Sequence, residues 1–316
     1  MASAAKAGFL ALALPSLLAG QDGPYRALKD PARFLPYGDT YVIWHQMKNN
    51  AWAGTDEGAF RAHYSLRYDL YESGTKQWNF FFTYTGEFDF YMGTRPSGPV
   101  VNRISNPGLH LRYTPKDGPL DYWEAGVEHR SDGQVTEVTS PRDQELARVA
   151  YLRKDRPFFD QISRGSNFVS VAAKLSSDSS ANPFILYVKG RIYFSQDTDV
   201  TWGPLADQKP RISDYDRLTL RAITKDFTVG GLRLGQFELQ STLGDKLSHS
   251  SHEFAWQFPR IEKHWYFPLY IRYHSGPLNT LSNYTQRQNS WGIGLRFQWI
   301  GANEERHPER TKGFKK

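Results

Sequence analysis

The sequence has 316 residues, with 39 Lys and Arg against 33 Asp and Glu, 15% aromatic residues and no cysteine. The lack of cysteine excludes disulfide bonds, thiolate zinc sites and cysteine nucleophiles. Mean hydropathy is −0.61, and no internal segment reaches the roughly 18 consecutive apolar residues of a membrane-spanning helix, so a helical membrane protein is excluded. Basic residues are scattered rather than gathered in a stripe, so the net charge of +6 indicates no nucleic-acid partner.

The N-terminus contains a continuous apolar segment from Phe9 to Gly20, which follows the positive charge of Lys6. A short apolar core that ends in small residues is typical of a secretory signal peptide. We therefore expect residues 1–20 to be removed on export, and the alternative is a frayed N-terminal helix.

Alternation of apolar and polar residues predicts β-strands along most of the remaining chain. Successive side chains of a strand point to opposite faces, and Trp78, Phe80 and Phe82 share one parity against Asn79 and Thr83. We count twelve predicted strands, which start near residues 40, 60, 77, 108, 120, 166, 183, 214, 228, 252, 265 and 289. No repeat or linker divides this array, so residues 21–300 are predicted to form one domain, followed by a charged disordered tail at 301–316.

Two all-β architectures accommodate many alternating strands. A soluble sandwich, such as a carbohydrate-binding domain, buries the apolar face in a core and typically has shorter strands. A transmembrane antiparallel β-barrel turns that face to lipid, needs strands of about 9–11 residues and carries aromatic residues at both membrane interfaces. The long strands, their aromatic ends and the export signal favour a barrel of about 12 strands that crosses a bacterial outer membrane many times.

A candidate catalytic site lies at the end of one predicted strand. His129 and Ser131 continue the apolar parity of that strand, so their side chains emerge side by side, where an imidazole can take the proton of a hydroxyl. Such a base needs a third group that fixes its tautomer. Asn167 opens another strand with matching parity, and a neutral amide avoids the cost of a charge on a lipid-facing wall. The alternatives are an interfacial histidine and an ordinary turn after Ser131.

Two short motifs resemble the paired signature of the outer-membrane phospholipase A family. They are His129-Arg-Ser-Asp-Gly-Gln134 and Ser163-Arg-Gly-Ser-Asn167, and the segments 34–41, 83–99 and 273–294 also resemble that family. The resemblance implies a twelve-stranded barrel with a Ser-His-Asn triad on its outer surface. Carried over by matching position, Ser131 is the nucleophile, His129 the general base and Asn167 its orienting partner. The Gly133 amide contributes to the oxyanion hole.

The resemblance also implies a Ca²⁺ cofactor and an active homodimer. It places the Ser163 side chain and the Gln134 carbonyl as calcium ligands, with Ser97 of the partner subunit as a further carbonyl donor. Hard oxygen donors of this kind suit Ca²⁺. The implied substrates are membrane phospholipids, and the implied activity is of the phospholipase A1, phospholipase A2 and lysophospholipase type.

This sequence departs from the family pattern at several positions. Asp132 stands where an Asn is usual, Gly86 takes the place of a Gln associated with dimer contacts, and the motif that begins at Ser163 lacks the usual Trp and final Arg. The segment 135–162 is an insertion with a predicted short helix from Asp143 to Arg153. It is either a surface elongation that leaves the site unchanged or a basic lid that engages lipid phosphates.

Together the residues and the resemblance predict a calcium-dependent serine hydrolase of the outer membrane. The alternative function is a catalytically inactive barrel that serves as a porin or as a structural outer-membrane protein.

Overall fold

The computed structural model describes most of the chain between residues 34 and 298. The described residues are 34–48, 57–92, 100–134, 136, 138, 140–153, 155–177, 184–196, 210–224, 227–259, 269–281 and 284–298. The predicted signal peptide at 1–20 and the predicted tail at 301–316 lie outside them. Among the described residues, no helix has the length and apolar character needed to cross a membrane.

Strands dominate the described residues, and the helices are short. The strands are β1 (Phe34–Pro36), β2 (Thr40–Lys48), β3 (Glu57–Glu72), β4 (Trp78–Phe90), β5 (Val100–Tyr113), β6 (Leu120–Ser131), β7 (Gly165–Ser176), β8 (Phe184–Gln196), β9 (Leu218–Thr224), β10 (Phe227–Val229), β11 (Leu232–Leu243), β12 (Ser251–Gln257), β13 (Leu269–Gly276) and β14 (Gln288–Gln298). The helices are α1 (Pro141–Leu152), α2 (Arg156–Asp160) and α3 (Ile212–Tyr215), with a 3-10 turn at Leu247–His249.

Twelve of these strands close into one antiparallel barrel. The order around the barrel is β3-β2-β14-β13-β12-β11-β9-β8-β7-β6-β5-β4, and pairing of β4 with β3 closes the ring. The short strand β1 adds to the side of β3, and β10 pairs with β11. The predicted all-β antiparallel barrel of about twelve strands is confirmed.

Several strands begin at other residues than the alternation predicts. Strand β11 begins at Leu232 rather than near 228, after the short strand β10, and the described part of β13 begins at Leu269 rather than near 265. Two further differences have a local cause. Strand β5 begins at Val100 rather than near 108, because Asn102 adopts a positive φ of 55° and the register to β4 shifts in the same region, which breaks the alternation. Strand β9 begins at Leu218 rather than near 214, because helix α3 occupies the preceding residues.

Paired charges fill the inside of the barrel. The Arg61 guanidinium donates to both carboxylate oxygens of Asp89 at 2.7 and 2.8 Å, and Arg296 donates to Glu238 at 3.0 Å. A cavity of about 300 Å³ inside the barrel is lined by charged groups as well, among them Glu253. Such buried charges need partners because desolvation of a lone ion is costly. The inner face is therefore polar and internally neutralised.

The outer face of the barrel is apolar. The exposed large apolar side chains include Phe60, Leu66, Phe82, Phe88, Leu109, Val127, Val169, Val171, Leu186, Leu239, Phe254, Trp291 and Ile293. At one end of the barrel, Trp78, Tyr113 and Trp123 pack together with ring centroids 4.8 to 6.0 Å apart. An apolar band with aromatic residues at its edge is the surface that a bilayer requires of a transmembrane barrel.

The two ends of the barrel differ in the length of their connections. One end carries the connections 49–56, 91–99, 132–164, 197–217, 244–250 and 277–287. The other end carries 73–77, 114–119, 177–183, 225–231 and 258–268, of which only the last is longer than seven residues. Long extracellular and short periplasmic connections are characteristic of outer-membrane barrels. We call the first of these the long-connection end.

The insertion at 135–162 contains a small core of its own. Helix α1 begins at a capping box, in which Ser140 Oγ accepts from the Asp143 N–H, and it spans Pro141–Leu152 rather than the predicted 143–153. Ala147 and Ala150 of this helix pack against Phe159 of α2 and against Val138 and Ile162, which flank the two helices. The insertion is thus a folded unit at the long-connection end.

Candidate active site

Strands β6 and β7 are neighbours, and their register places His129 directly opposite Asn167. The His129 Nδ1 and the Asn167 Oδ1 lie 2.9 Å apart. Because an amide oxygen only accepts, Nδ1 carries the proton of this hydrogen bond, and Nε2 of the neutral ring keeps its lone pair. The arrangement prepares His129 to act as a base through Nε2.

Ser131 lies on the same outward face of β6, two residues beyond His129, and is half-buried. Its register partners are Ser105 on β5 and Gly165 on β7. Among the described hydrogen bonds, none joins the Ser131 hydroxyl to His129. Catalytic hydrogen bonds of free enzymes are often long and tighten when substrate binds. The geometry therefore places the two groups on one wall without a formed hydrogen bond.

Two contacts hold the backbone and the inner side of this strand. Asn106 Nδ2 donates to the His129 carbonyl oxygen at 2.7 Å. On the inner side Arg130 donates to Asp216 at 3.1 Å, and Asp216 also accepts from Arg191 at 2.7 Å. Asn106 and Asp216 are not identifiable from sequence motifs, because their proximity to β6 depends on strand register and on a connection that folds into the barrel.

The turn after Ser131 is held in one conformation. Gly133 has φ +57°, a left-handed value at which a residue with a Cβ would be strained. Its carbonyl oxygen accepts from Arg103 Nη2 at 2.9 Å. Asp132 is fully buried, and its Oδ1 accepts from the Arg164 N–H at 2.9 Å. Burial raises the pKa of the Asp132 carboxyl to about 6.

The two ends of the insertion are hydrogen-bonded to each other, which places Gln134 and Ser163 on adjoining segments. The Asp132 N–H donates to the Arg164 carbonyl at 3.1 Å, and the Ser163 N–H donates to the Thr136 carbonyl at 2.7 Å. The described residues contain no cluster of three or more His, Asp or Glu side chains with metal-binding geometry. Ser97, the third predicted ligand, lies outside the described residues.

The position of Gly86 is covered by a neighbouring side chain. Tyr64 is its register partner on β3, and a Cβ on Gly86 would clash with the Tyr64 ring. Tyr64 in turn stacks on Tyr84, with ring centroids 6.0 Å apart. The surface that the resemblance associates with dimer contacts is thus formed by tyrosine rings in this chain.

Solved structures of similar fold are outer-membrane phospholipases. The Salmonella typhi outer membrane phospholipase dimer with bound calcium is 17% identical, with a TM-score of 0.60 over 87% of this chain and 97% of that one. Escherichia coli outer membrane phospholipase A is 17% identical, with a TM-score of 0.59 over 84% and 94% of the two chains. An active-site mutant of the E. coli protein gives 16% identity and a TM-score of 0.59 over 90% and 96%.

No protein-family model matches the sequence, and no curated protein sequence matches it either. The solved structures confirm, at the level of the fold, the likeness to outer-membrane phospholipase A that the motifs indicate. The chain has the fold of a bacterial outer-membrane β-barrel.

Proposed function

We propose that this protein is a calcium-dependent serine hydrolase of the bacterial outer membrane that cleaves acyl esters of phospholipids. The observation that carries the proposal is the His129–Asn167 hydrogen bond on the lipid-facing wall, beside Ser131. The proposed activity is of the phospholipase A1, phospholipase A2 and lysophospholipase type. The same fold in the solved outer-membrane phospholipases supports it.

In the proposed reaction, Ser131 Oγ attacks the carbonyl carbon of an acyl ester while His129 Nε2 accepts the hydroxyl proton. The Gly133 N–H donates to the oxygen that becomes negatively charged. Collapse of this intermediate breaks the ester bond, and His129 returns the proton to the departing alcohol oxygen. A water molecule, deprotonated by His129, then attacks the acyl-serine ester, and its cleavage releases the fatty acid and restores Ser131. Asn167 holds the imidazole in the reactive tautomer throughout.

The residues near the turn fit a calcium ion. The Gln134 carbonyl and the Ser163 hydroxyl are hard oxygen donors, and the Oδ2 of the buried Asp132 has no hydrogen-bond partner among the described residues. A buried carboxylate oxygen without a partner is stabilised by a nearby cation. When bound, a calcium ion would polarise the ester carbonyl. The bound calcium of the S. typhi structure supports a calcium cofactor in this fold. The assignment of Gln134, Ser163 and Ser97 of the partner subunit as its ligands rests on the motif resemblance.

The proposal includes a homodimer as the active form, in line with the dimeric S. typhi structure. The tyrosine rings around Gly86 would then make the subunit contact that a glutamine makes in the family pattern. Since the second subunit would supply Ser97, activity should depend on protein concentration in detergent.

Calcium-dependent release of fatty acid from phospholipid vesicles tests the proposed function. We expect Ser131→Ala to lower the rate by a factor of roughly 10⁴ or more, because the nucleophile is lost. Ser241→Ala is the matched control and should retain activity, because Ser241 is a serine of β11 whose hydroxyl lies 2.9 Å from His252 Nδ1, away from the candidate site. Full activity in Ser131→Ala would refute the triad. Absence of hydrolysis in the wild type, together with conductance in planar bilayers, would favour the alternative of a porin.

A further inference from the structure

Arg103 lies on the outer face of the barrel, next to the candidate nucleophile. Ser105 on β5 is the register partner of Ser131, and Arg103 is two residues further toward the long-connection end. Its Nη2 donates to the Gly133 carbonyl oxygen at 2.9 Å. The guanidinium therefore adjoins the turn that would hold the reacting ester.

The charge of Arg103 is not balanced by the described part of the protein. Inside the barrel, Arg112 is paired with Glu124 at 2.8 Å and Arg191 with Asp216 at 2.7 Å. Arg103 is exposed, and no described carboxylate lies within ion-pair distance of it. One of its N–H groups binds the Gly133 carbonyl, which leaves other donors of the planar guanidinium available. A cation with free hydrogen-bond donors at the lipid-facing rim of the barrel is suited to bind an anionic group located beside the turn after Ser131.

We propose that Arg103 binds the phosphodiester of the phospholipid substrate while the ester carbonyl lies at Ser131. This inference rests on the proposed function. A guanidinium binds phosphate through two parallel charge-assisted hydrogen bonds, so it fixes orientation as well as charge. In a glycerophospholipid only the glycerol carbons separate the phosphate from the acyl esters, which matches the closeness of Arg103 to the turn after Ser131. The contact selects phospholipids over neutral acyl esters.

The experiment compares two substrates in neutral-detergent micelles at saturating calcium. One is phosphatidylcholine and the other is the p-nitrophenyl ester of a fatty acid, which has no phosphate. We expect Arg103→Gln to lower the ratio of kcat/KM for phosphatidylcholine over the neutral ester about 10- to 100-fold, which corresponds to the loss of a charged hydrogen bond. Arg103→Lys should restore part of the ratio because it keeps the charge without the planar guanidinium.

The matched control is Arg287→Gln. Arg287 is also exposed at the long-connection end and donates to a backbone carbonyl, that of Ser248, at 3.0 Å, and no described hydrogen bond or ion pair joins its side chain to Arg103 or Gly133. This variant should leave the ratio unchanged. If Arg103→Gln lowers kcat/KM equally for both substrates, the ratio is unchanged and Arg103 acts only through Gly133, which would overturn the proposal. Wild-type kcat/KM for both substrates in this variant would overturn it as well.

A binding measurement separates failure of this inference from failure of the proposed function. Binding is measured in the Ser131→Ala background, in which the acyl esters are not hydrolysed. Lysophosphatidic acid should bind this protein at least tenfold more tightly than the same protein with Arg103→Gln added, whereas a monoacylglycerol should bind both equally. Excess inorganic phosphate should not displace the lipid, and displacement would assign the site to free phosphate and overturn the proposal. A wild type that hydrolyses neither substrate refutes the proposed function, and the binding result alone then decides the role of Arg103.

Discussion

The two faces of strand β6 place their polar groups in opposite surroundings. On the inner face, Glu128 is buried and accepts from Lys189 and from Ser170, each at 2.6 Å. On the outer face, the neighbouring His129 is exposed and bonded to a neutral amide. Adjacent residues of one strand thus belong to a buried ion pair, in the case of Glu128, and to the exposed candidate active site, in the case of His129.

This difference indicates that the inner face affects stability, whereas the outer face offers groups that a substrate can contact. Charges on the inner face neutralise each other, so removal of one partner should destabilise the barrel, because a buried ion without its partner is costly. Polar groups on the outer face retain free donors and acceptors that a substrate can use. Removal of one partner of an inner-face ion pair should therefore change stability, and substitution of the candidate site residues on the outer face should change activity.

The largest effect is expected on the inner face. Glu128→Ala leaves the Lys189 ammonium buried without its carboxylate, so the free energy of unfolding should fall by about 3–5 kcal/mol. Urea unfolding in detergent micelles, followed by tryptophan fluorescence, measures this loss. In the double variant Glu128→Leu with Lys189→Met the loss should be smaller, because neither charge remains. A loss as large in the double variant would contradict the ionic origin of the stability.

On the outer face, Asn167→Ala should lower kcat for phospholipid roughly 100-fold with little change in unfolding, since His129 loses the partner that fixes its tautomer. Asn167→Asp should retain more activity than Asn167→Ala, because its carboxylate still accepts from Nδ1. Asn289→Ala, at an exposed position of β14 at the same end of the barrel, is the control. Equal rates for Asn167→Ala and the wild type would remove Asn167 from the triad.

A smaller effect is expected at Ser163, where the two ends of the insertion are hydrogen-bonded to each other. Ser163→Ala removes one proposed oxygen ligand, so the calcium concentration for half-maximal activity should rise about tenfold, and calcium binding by equilibrium dialysis should weaken in parallel. Chelation should suppress turnover in both proteins. Ser73→Ala, in a turn at the opposite end of the barrel, is the control. An unchanged calcium requirement would exclude Ser163 as a ligand.

The fold could be predicted in large part because alternation is a local property. Each strand shows its two faces in its own sequence, as Trp78, Phe80 and Phe82 do. The prediction weakened where the backbone departs from regular pleating, as at Asn102, whose positive φ interrupts the alternation of β5.

The candidate site was predicted only where its residues lie in short motifs. His129 and Ser131 share a strand, and matching parity suggested Asn167. Arg103 could not be identified in this way, because its closeness to Gly133 follows from the register between β5 and β6. Pairings such as that of Glu128 with Lys189 depend likewise on which strands meet inside the barrel.

The hydrogen bonds between the two ends of the insertion have a consequence for how such a barrel can change through evolution. Hydrogen bonds join its two ends at Asp132 and Arg164 and again at Thr136 and Ser163, ahead of the helices. Residues between Thr136 and Ser163 can be added, lost or exchanged without altering the spacing of β6 and β7, which carry His129 and Asn167. The segment is therefore a place where evolution or protein engineering can add a surface domain with little effect on the strands that carry His129 and Asn167.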